Sequence, residues 1–408
     1  MTSSAHIIRG VCALALLIGT PLAAAAGQRQ EMPTVADPNG TSATLTTTSG
    51  WLVTPSLLLS RTSDDNVLMH GPGDTQDHDL INVINPRADL NYNGRLTQFA
   101  SNYTGAFVRY NSLTSLDSYE QHAGATMKRR VTKFTSFYFN ADFTASPTTE
   151  LLNLPVPYVR TGATTDNFHG GIERTGKRVT LDIGAHFQQA RFEANQTYEN
   201  LLLGGNSIGA DLSIRRRMTE TTSLFADANT EHETIGQAQQ QFDVQRVVAG
   251  AEHRLSERTL VFAGAGVSRL SATQFGPARS GPSFKLGISQ HYHATIIDVS
   301  YDRAFVPSFG FGGTTQNGSL TVRAQTPITR RIYTQDLVSY QRQDAIIIDF
   351  PSLRSVWMQA AVGYIASPWL RIEAYYAGTR QTVIGPDALL HHNQFGVQVI
   401  TGKPVRIH

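Results

Sequence analysis

The chain has a single cysteine, Cys12, among 408 residues. It lies in the N-terminal stretch, so removal of that stretch leaves neither disulfides nor thiolate chemistry open to the remainder. Charge is sparse: 16% of residues are charged and the formal net charge is +2, which argues against nucleic acid as a partner. Beyond the N-terminus no run approaches the roughly 20 apolar residues of a membrane helix. Ser, His and Asp are present, yet no nucleophile motif stands out, and catalysis is not expected. Nor is a cofactor or a metal. The segment Thr62–Asp79 holds Asp64, Asp65, Asp74, Asp77 and Asp79 without EF-hand spacing and reads as a solvated acidic loop. His291 with His293, and His391 with His392, would need further ligands to hold zinc.

Residues 1–26 read as a secretory signal peptide: a weakly basic start at His6 and Arg9, an apolar stretch from Val11 to Ile18, and small residues from Ala23 to Ala26. Residues 27–50 are rich in Thr, Ser, Gly and Pro and read as a flexible lead.

What the remainder does have is alternation. In Arg178–Arg191, Val179, Leu181, Ile183, Ala185 and Phe187 point one way, and Thr180, Asp182, Gly184, His186 and Gln188 the other. The pattern returns in Phe137–Phe143, Ile208–Arg215, Ile297–Asp302 and Leu370–Tyr376. Such strands exceed the five or six residues typical of soluble sheets. Short connections, among them the Asn93-Gly94 hairpin signal, alternate with longer ones such as Pro147–Thr165 and Phe305–Gly318. The fold expected is an all-β, transmembrane, antiparallel up-and-down barrel of about eighteen strands, with sixteen as the alternative. It would occupy residues 51–401, with 402–408 as a C-terminal tail. A barrel of that size encloses an aqueous channel. Pro86 inside the second strand requires either a strand beginning after Asn85 or a bulge.

The polar faces supply lumen candidates: Asp142, Asp182, His186, Asp211, Asp227, Glu231, Glu252, Asp298, Asp302, Arg323, Arg371 and Glu373. For any one of them, structural cross-strand pairing competes with a role in permeation. Basic residues gather at the short turns: Arg129, Arg130, Lys177, Arg178, Arg215, Arg216, Arg217, Arg330 and Arg331. They fit anchoring to lipid phosphates, or a basic mouth that concentrates anions. The partners expected are outer-membrane lipids, the barrel insertion machinery and small polar solutes.

The opening strands carry a resemblance. Trp51–Val67 (WLVTPSLLLSRTSDDNV), Pro86–Tyr92 (PRADLNY) and Gly94–Tyr110 (GRLTQFASNYTGAFVRY) resemble the β-barrel porins found with exopolysaccharide and capsule genes in Gram-negative bacteria. The resemblance implies an outer-membrane barrel tied to polysaccharide export and brings no catalytic residues. A general or substrate-selective diffusion porin is the alternative, ahead of a structural or adhesive barrel or an outer-membrane enzyme.

Overall fold

In a computed structural model, residues 50–71, 77–149, 158–193, 202–236, 240–271, 277–309, 313–345, 352–384 and 389–407 are described. The stretches read as signal peptide and flexible lead, residues 1–49, lie outside them. The strands are β1 Gly50–Asp64, β2 Asp79–Asn93, β3 Thr97–Tyr110, β4 Ser118–Arg130, β5 Thr135–Ser146, β6 Ala163–Thr175, β7 Val179–Phe192, β8 Gly205–Arg217 and β9 Thr222–Ile235. They continue with β10 Gln240–Ser256, β11 Thr259–Leu270, β12 Arg279–Tyr292, β13 Thr295–Ser308, β14 Gly313–Pro327, β15 Ile332–Ala345, β16 Ser352–Ser367, β17 Leu370–Ile384, β18 Leu389–Gly402 and the short β19 Val405–Ile407. From β1 to β18 each strand pairs antiparallel with its sequence neighbours, and β1 also pairs with β18 and, beyond it, with β19, which closes the sheet. The barrel therefore has eighteen long strands rather than sixteen.

The alternation sorts side chains by face. Ile183, Ile208, Val267, Val362 and Val397 stand exposed on the outer face, while the polar rows between them point inward. Several strands, β13, β14 and β17 among them, run further into the long-loop end than the sequence suggests. Phe305–Gly318, expected as a loop, is largely the upper part of β13 and β14. A continuing ladder satisfies backbone groups that a loop would leave to water.

Pro86 neither starts β2 nor forces a register shift. Ile84 pairs with Phe107 and Arg87 with Thr104 in one register, and the ladder to β3 simply lapses between them. Pro86 has no N–H to donate, and its other edge still faces Leu57 of β1. The chain also does not end its pairing at Thr401. β18 runs to Gly402, and after Lys403 and Pro404 the residues Val405–Ile407 pair with Trp51–Val53.

The seam between first and last strands is fastened by the Asp-Asp-Asn sequence. Asp64, 3% exposed, accepts hydrogen bonds from Asn66 N at 2.9 Å and Gln394 Nε2 at 2.9 Å and lies 2.8 Å from His392 Nε2. Asp65 accepts from Asn393 N and Nδ2 at 2.7 and 2.6 Å. Asn66 donates to the carbonyls of His70 and His391. The expected solvated acidic loop is thus, from Asp64 to Asn66, a buried latch. Asp64→Ala should strand these donors, lower the unfolding free energy by about 3 kcal/mol and lower the temperature at which the refolded barrel loses its compact gel migration. An unchanged transition would show that the latch contributes nothing to closure.

Candidate functional site

The candidate site is the barrel interior, whose wall carries two contrasting arcs besides β1–β3, where Arg87 pairs with Asp89 at 2.7 Å. From β4 to β13 the inner face is ionic. Lys128 Nζ reaches Glu173 at 3.0 Å, Arg215 reaches Glu252 at 2.8 Å, Lys285 reaches Asp227 at 2.9 Å and Arg246 reaches Asp302 at 2.7 Å. Each pair joins strands two or three apart. In a barrel the strands tilt, so a side chain at one level meets one from a strand further along. Asp142 lies 3.4 Å from His122 Nε2.

A polar network occupies the middle of this arc. Tyr138 donates to Asp182 at 2.7 Å, His186 Nδ1 lies 2.8 Å from Asp211, and Asn229 donates to the same carboxylate at 2.8 Å. Glu231 accepts from Ser207 and lies 3.6 Å from His186 Nε2. His169 approaches Asp211 at 3.6 Å. Inward glycines make the room. A Cβ at Gly184 would lie 2.8 Å from both Tyr138 Oη and His169 Nε2.

Gly205-Asn206-Ser207-Ile208-Gly209 has the G-x-S-x-G spacing, which the sequence reading passes over. It lies within β8, not on a strand-to-helix elbow. Ser207 is fully buried with its hydroxyl on Glu231, so no exposed nucleophile results. Among the described residues no group of three or more His, Cys, Asp or Glu is arranged to hold a metal ion.

From β14 to β18 the inner wall is mostly neutral. Gln335, Gln341, Gln343, Gln381 and Gln398 are buried there with Ser355 and Thr379. Of the candidates, only Arg323, Arg371 and Glu373 fall on this arc. Glu373 accepts from Tyr333 and from Gln398 Nε2, and Arg323 stands opposite Asp298 of β13 in the register. Sequence reasoning took charged residues as the lining and missed the amides. Their spacing at 335, 341 and 343, on one face of one strand, was the available signal.

The basic residues do ring the short-turn end, but unequally. Lys177 and Arg178 lie in the turn before β7, and Arg330 and Arg331 in the turn before β15. Arg331 donates to Tyr364 Oη at 3.3 Å. Arg129 faces outward and Arg130 inward by the alternation of β4. Arg215–Arg217 do not act together: Arg215 is paired with Glu252, Arg216 faces outward, and Arg217 donates to the Lys177 carbonyl.

At the long-loop end, chain folds inward. β12 pairs with β13 only up to Phe284–Arg303. Past that point the β13–β14 hairpin leaves its neighbour: Phe305 N donates to Ser268 of β11, and Thr314 donates to Glu233 of β9, five strands away, at 2.9 Å. Glu233 is 0% exposed. Phe305 and Phe309 complete an apolar cluster with Ile235, Phe242, Val244 and Leu270. The segment after β5 also reaches across, with Tyr158 N on Gln381 Oε1 at 3.0 Å and Arg160 on Tyr110 Oη at 3.0 Å.

No family model and no curated protein matches the chain. Among solved structures it is similar to OpdO of Pseudomonas aeruginosa, at 13% identity and TM-score 0.47, covering 88% of this chain and 98% of that one. It is similar also to the outer membrane protein OpdK of Pseudomonas aeruginosa, at 11% identity and TM-score 0.45, covering 87% and 99%. The siderophore receptor PirA of the same species matches at 11% identity and TM-score 0.44, covering 86% and 80%. Likenesses of this size assign the chain to no family and carry no substrate over to it.

Gly184→Ala should push Tyr138 off Asp182 and lower the unfolding free energy in urea by about 1–3 kcal/mol. Gly170→Ala, on the outer face with ordinary contacts at 3.4 Å, should cost less. Equal losses would contradict the close approach in the lumen.

Proposed function

We propose that the protein is a passive channel of a Gram-negative outer membrane that passes small polar solutes selectively. The observation that carries this reading is the pairing of an apolar outer face with a polar inner one on a closed barrel of eighteen strands. Lipid suits the first and water the second, and a barrel of this size has room for an aqueous lumen. An even strand number places both chain ends and all short turns on one side, which is the periplasmic side in such barrels. The basic residues at that end then meet lipid phosphates. The insertion machinery for outer-membrane barrels is the partner such a chain requires.

What favours small solutes over a polymer is the crowded outer end. The inward β13–β14 hairpin and the Tyr158–Gln381 crossing narrow the path. Tyr333 and Trp357 are buried in the wall, so they offer no open track for stacking sugar rings. The polysaccharide role implied by the resemblance is therefore the weaker reading. With ionic pairs on one arc and amides on the other, the lumen holds donors and acceptors of both kinds, which suits hydroxylated or zwitterionic solutes.

Refolded protein in planar bilayers should show discrete conductance steps. Replacing residues 306–313 by an Asn-Gly turn should enlarge them. A barrel that inserts but conducts nothing would overturn the channel reading. Arg246→Ala, which leaves Asp302 without its guanidinium, should raise the cation-to-anion permeability ratio roughly two- to fivefold, read from the reversal potential in a salt gradient.

A further inference from the structure

Asp336 stands on the outer face. It alternates with the buried Tyr333, Gln335 and Leu337 of β15 and shares its outward row with Ile332, Val338 and Tyr340, all exposed. Its position is four residues from Ile332, next to the short turn, and four from Tyr340, whose ring marks the other edge of the apolar row. That places the carboxyl near the middle of the lipid belt. Other outward carboxylates on described strands sit at the long-loop rim, as Asp166 and Asp243 do, and those two have partners in Arg191 and His232. Asp336 has neither a hydrogen bond nor an ion pair among the described residues.

A lone carboxylate facing lipid is unfavourable, and an ionisable group held in the membrane usually marks a contact or a pathway. A pathway is excluded here, because the group faces away from the lumen. The flanks point to a contact. Directly across the ladder on either side stand Ala324 and Ala360. These small residues leave a hollow around the carboxyl and allow close approach of another surface. The rest of the outer belt, among the described residues, offers no lysine or arginine at this depth to pair with it. The neutral carboxylic acid, however, is both donor and acceptor, and so is complementary to itself. A twofold axis brings any residue near it opposite its own copy.

We propose that the outer face of β14–β16 around Asp336 is a homodimer interface, with the two Asp336 carboxyls hydrogen-bonded to each other across a twofold axis normal to the membrane. The inference rests on the membrane reading above but not on conduction. Ala324 and Ala360 let the two sheets approach, and the paired acids remove from lipid a group that neither copy satisfies alone.

The test uses the full-length protein in lipid bilayers at several protein-to-lipid ratios, with dimerisation read by energy transfer between labelled copies. Asp336→Leu should weaken association about tenfold or more while keeping heat-modifiable gel migration, which shows that the barrel still folds. Asp336→Asn should keep the dimer, because an amide pairs with itself as the neutral acid does. Ala360→Phe should weaken it by filling the hollow. A wild-type protein that stays monomeric over the whole range, or an Asp336→Leu variant that associates as tightly as wild type, would overturn the proposal. A dimer retained by Ala360→Phe would place the interface elsewhere and also overturn it. Failure to insert into bilayers at all would count instead against the membrane reading.

Discussion

Within lipid, a backbone N–H or C=O has no water to turn to, so every one must be paired within the protein. That constraint explains why this sheet closes. An open sheet of these strands would expose two bare edges, at β1 and β18; the antiparallel pairing from Ser56–Gly402 to Asp64–Gln394 joins them. The seam joins residues from opposite ends of the chain, and long-range pairing of this kind carries a large entropic cost. Its reinforcement is correspondingly dense: Asp64, Asp65 and Asn66 bind β18 at the outer end, and Val405–Ile407 extends the pairing at the other.

Closure fixes the two faces, and the faces see different solvents. Outside, a carboxylate such as Asp336 is anomalous and demands a partner. Inside, charge is tolerated but seldom left alone. Glu173, Asp211, Asp227, Glu252 and Asp302 each meet a cationic or imidazole partner two or more residues up the tilted wall. The ionic arc is thus largely self-neutralised. In the channel proposed, selectivity follows from the local arrangement of pairs and amides, together with the narrowing at the outer end, more than from net charge.

Much of this was legible in the sequence, because alternation is a local property. Val179–Phe187 against Thr180–Gln188 identifies a two-faced strand without any tertiary information, and repetition of the pattern with alternating short and long connections gives the barrel and narrows its strand number to eighteen or sixteen. What escaped depends on contacts between distant residues. The Asp-Asp-Asn latch looks like a solvated loop until His392 and Asn393 arrive beside it. The β13–β14 hairpin looks like an external loop because nothing local shows that Thr314 will meet Glu233. The amide wall went unnoticed because glutamine signals neither core nor charge. Asp336 is a different case: alternation with Gln335 and Leu337 already places it outward.

The assignment of lipid outside and water inside is tested most directly along β7. Single nitroxide labels placed in turn from Val179 to Gln188 in bilayer-reconstituted protein report collisions with oxygen, which concentrates in lipid, and with a water-soluble nickel chelate. Oxygen accessibility should peak at Val179, Leu181, Ile183, Ala185 and Phe187 and fall at the residues between them, with chelate accessibility out of phase. A profile without a period of two, or with the two reagents in phase, would contradict a membrane-spanning barrel with a polar lumen.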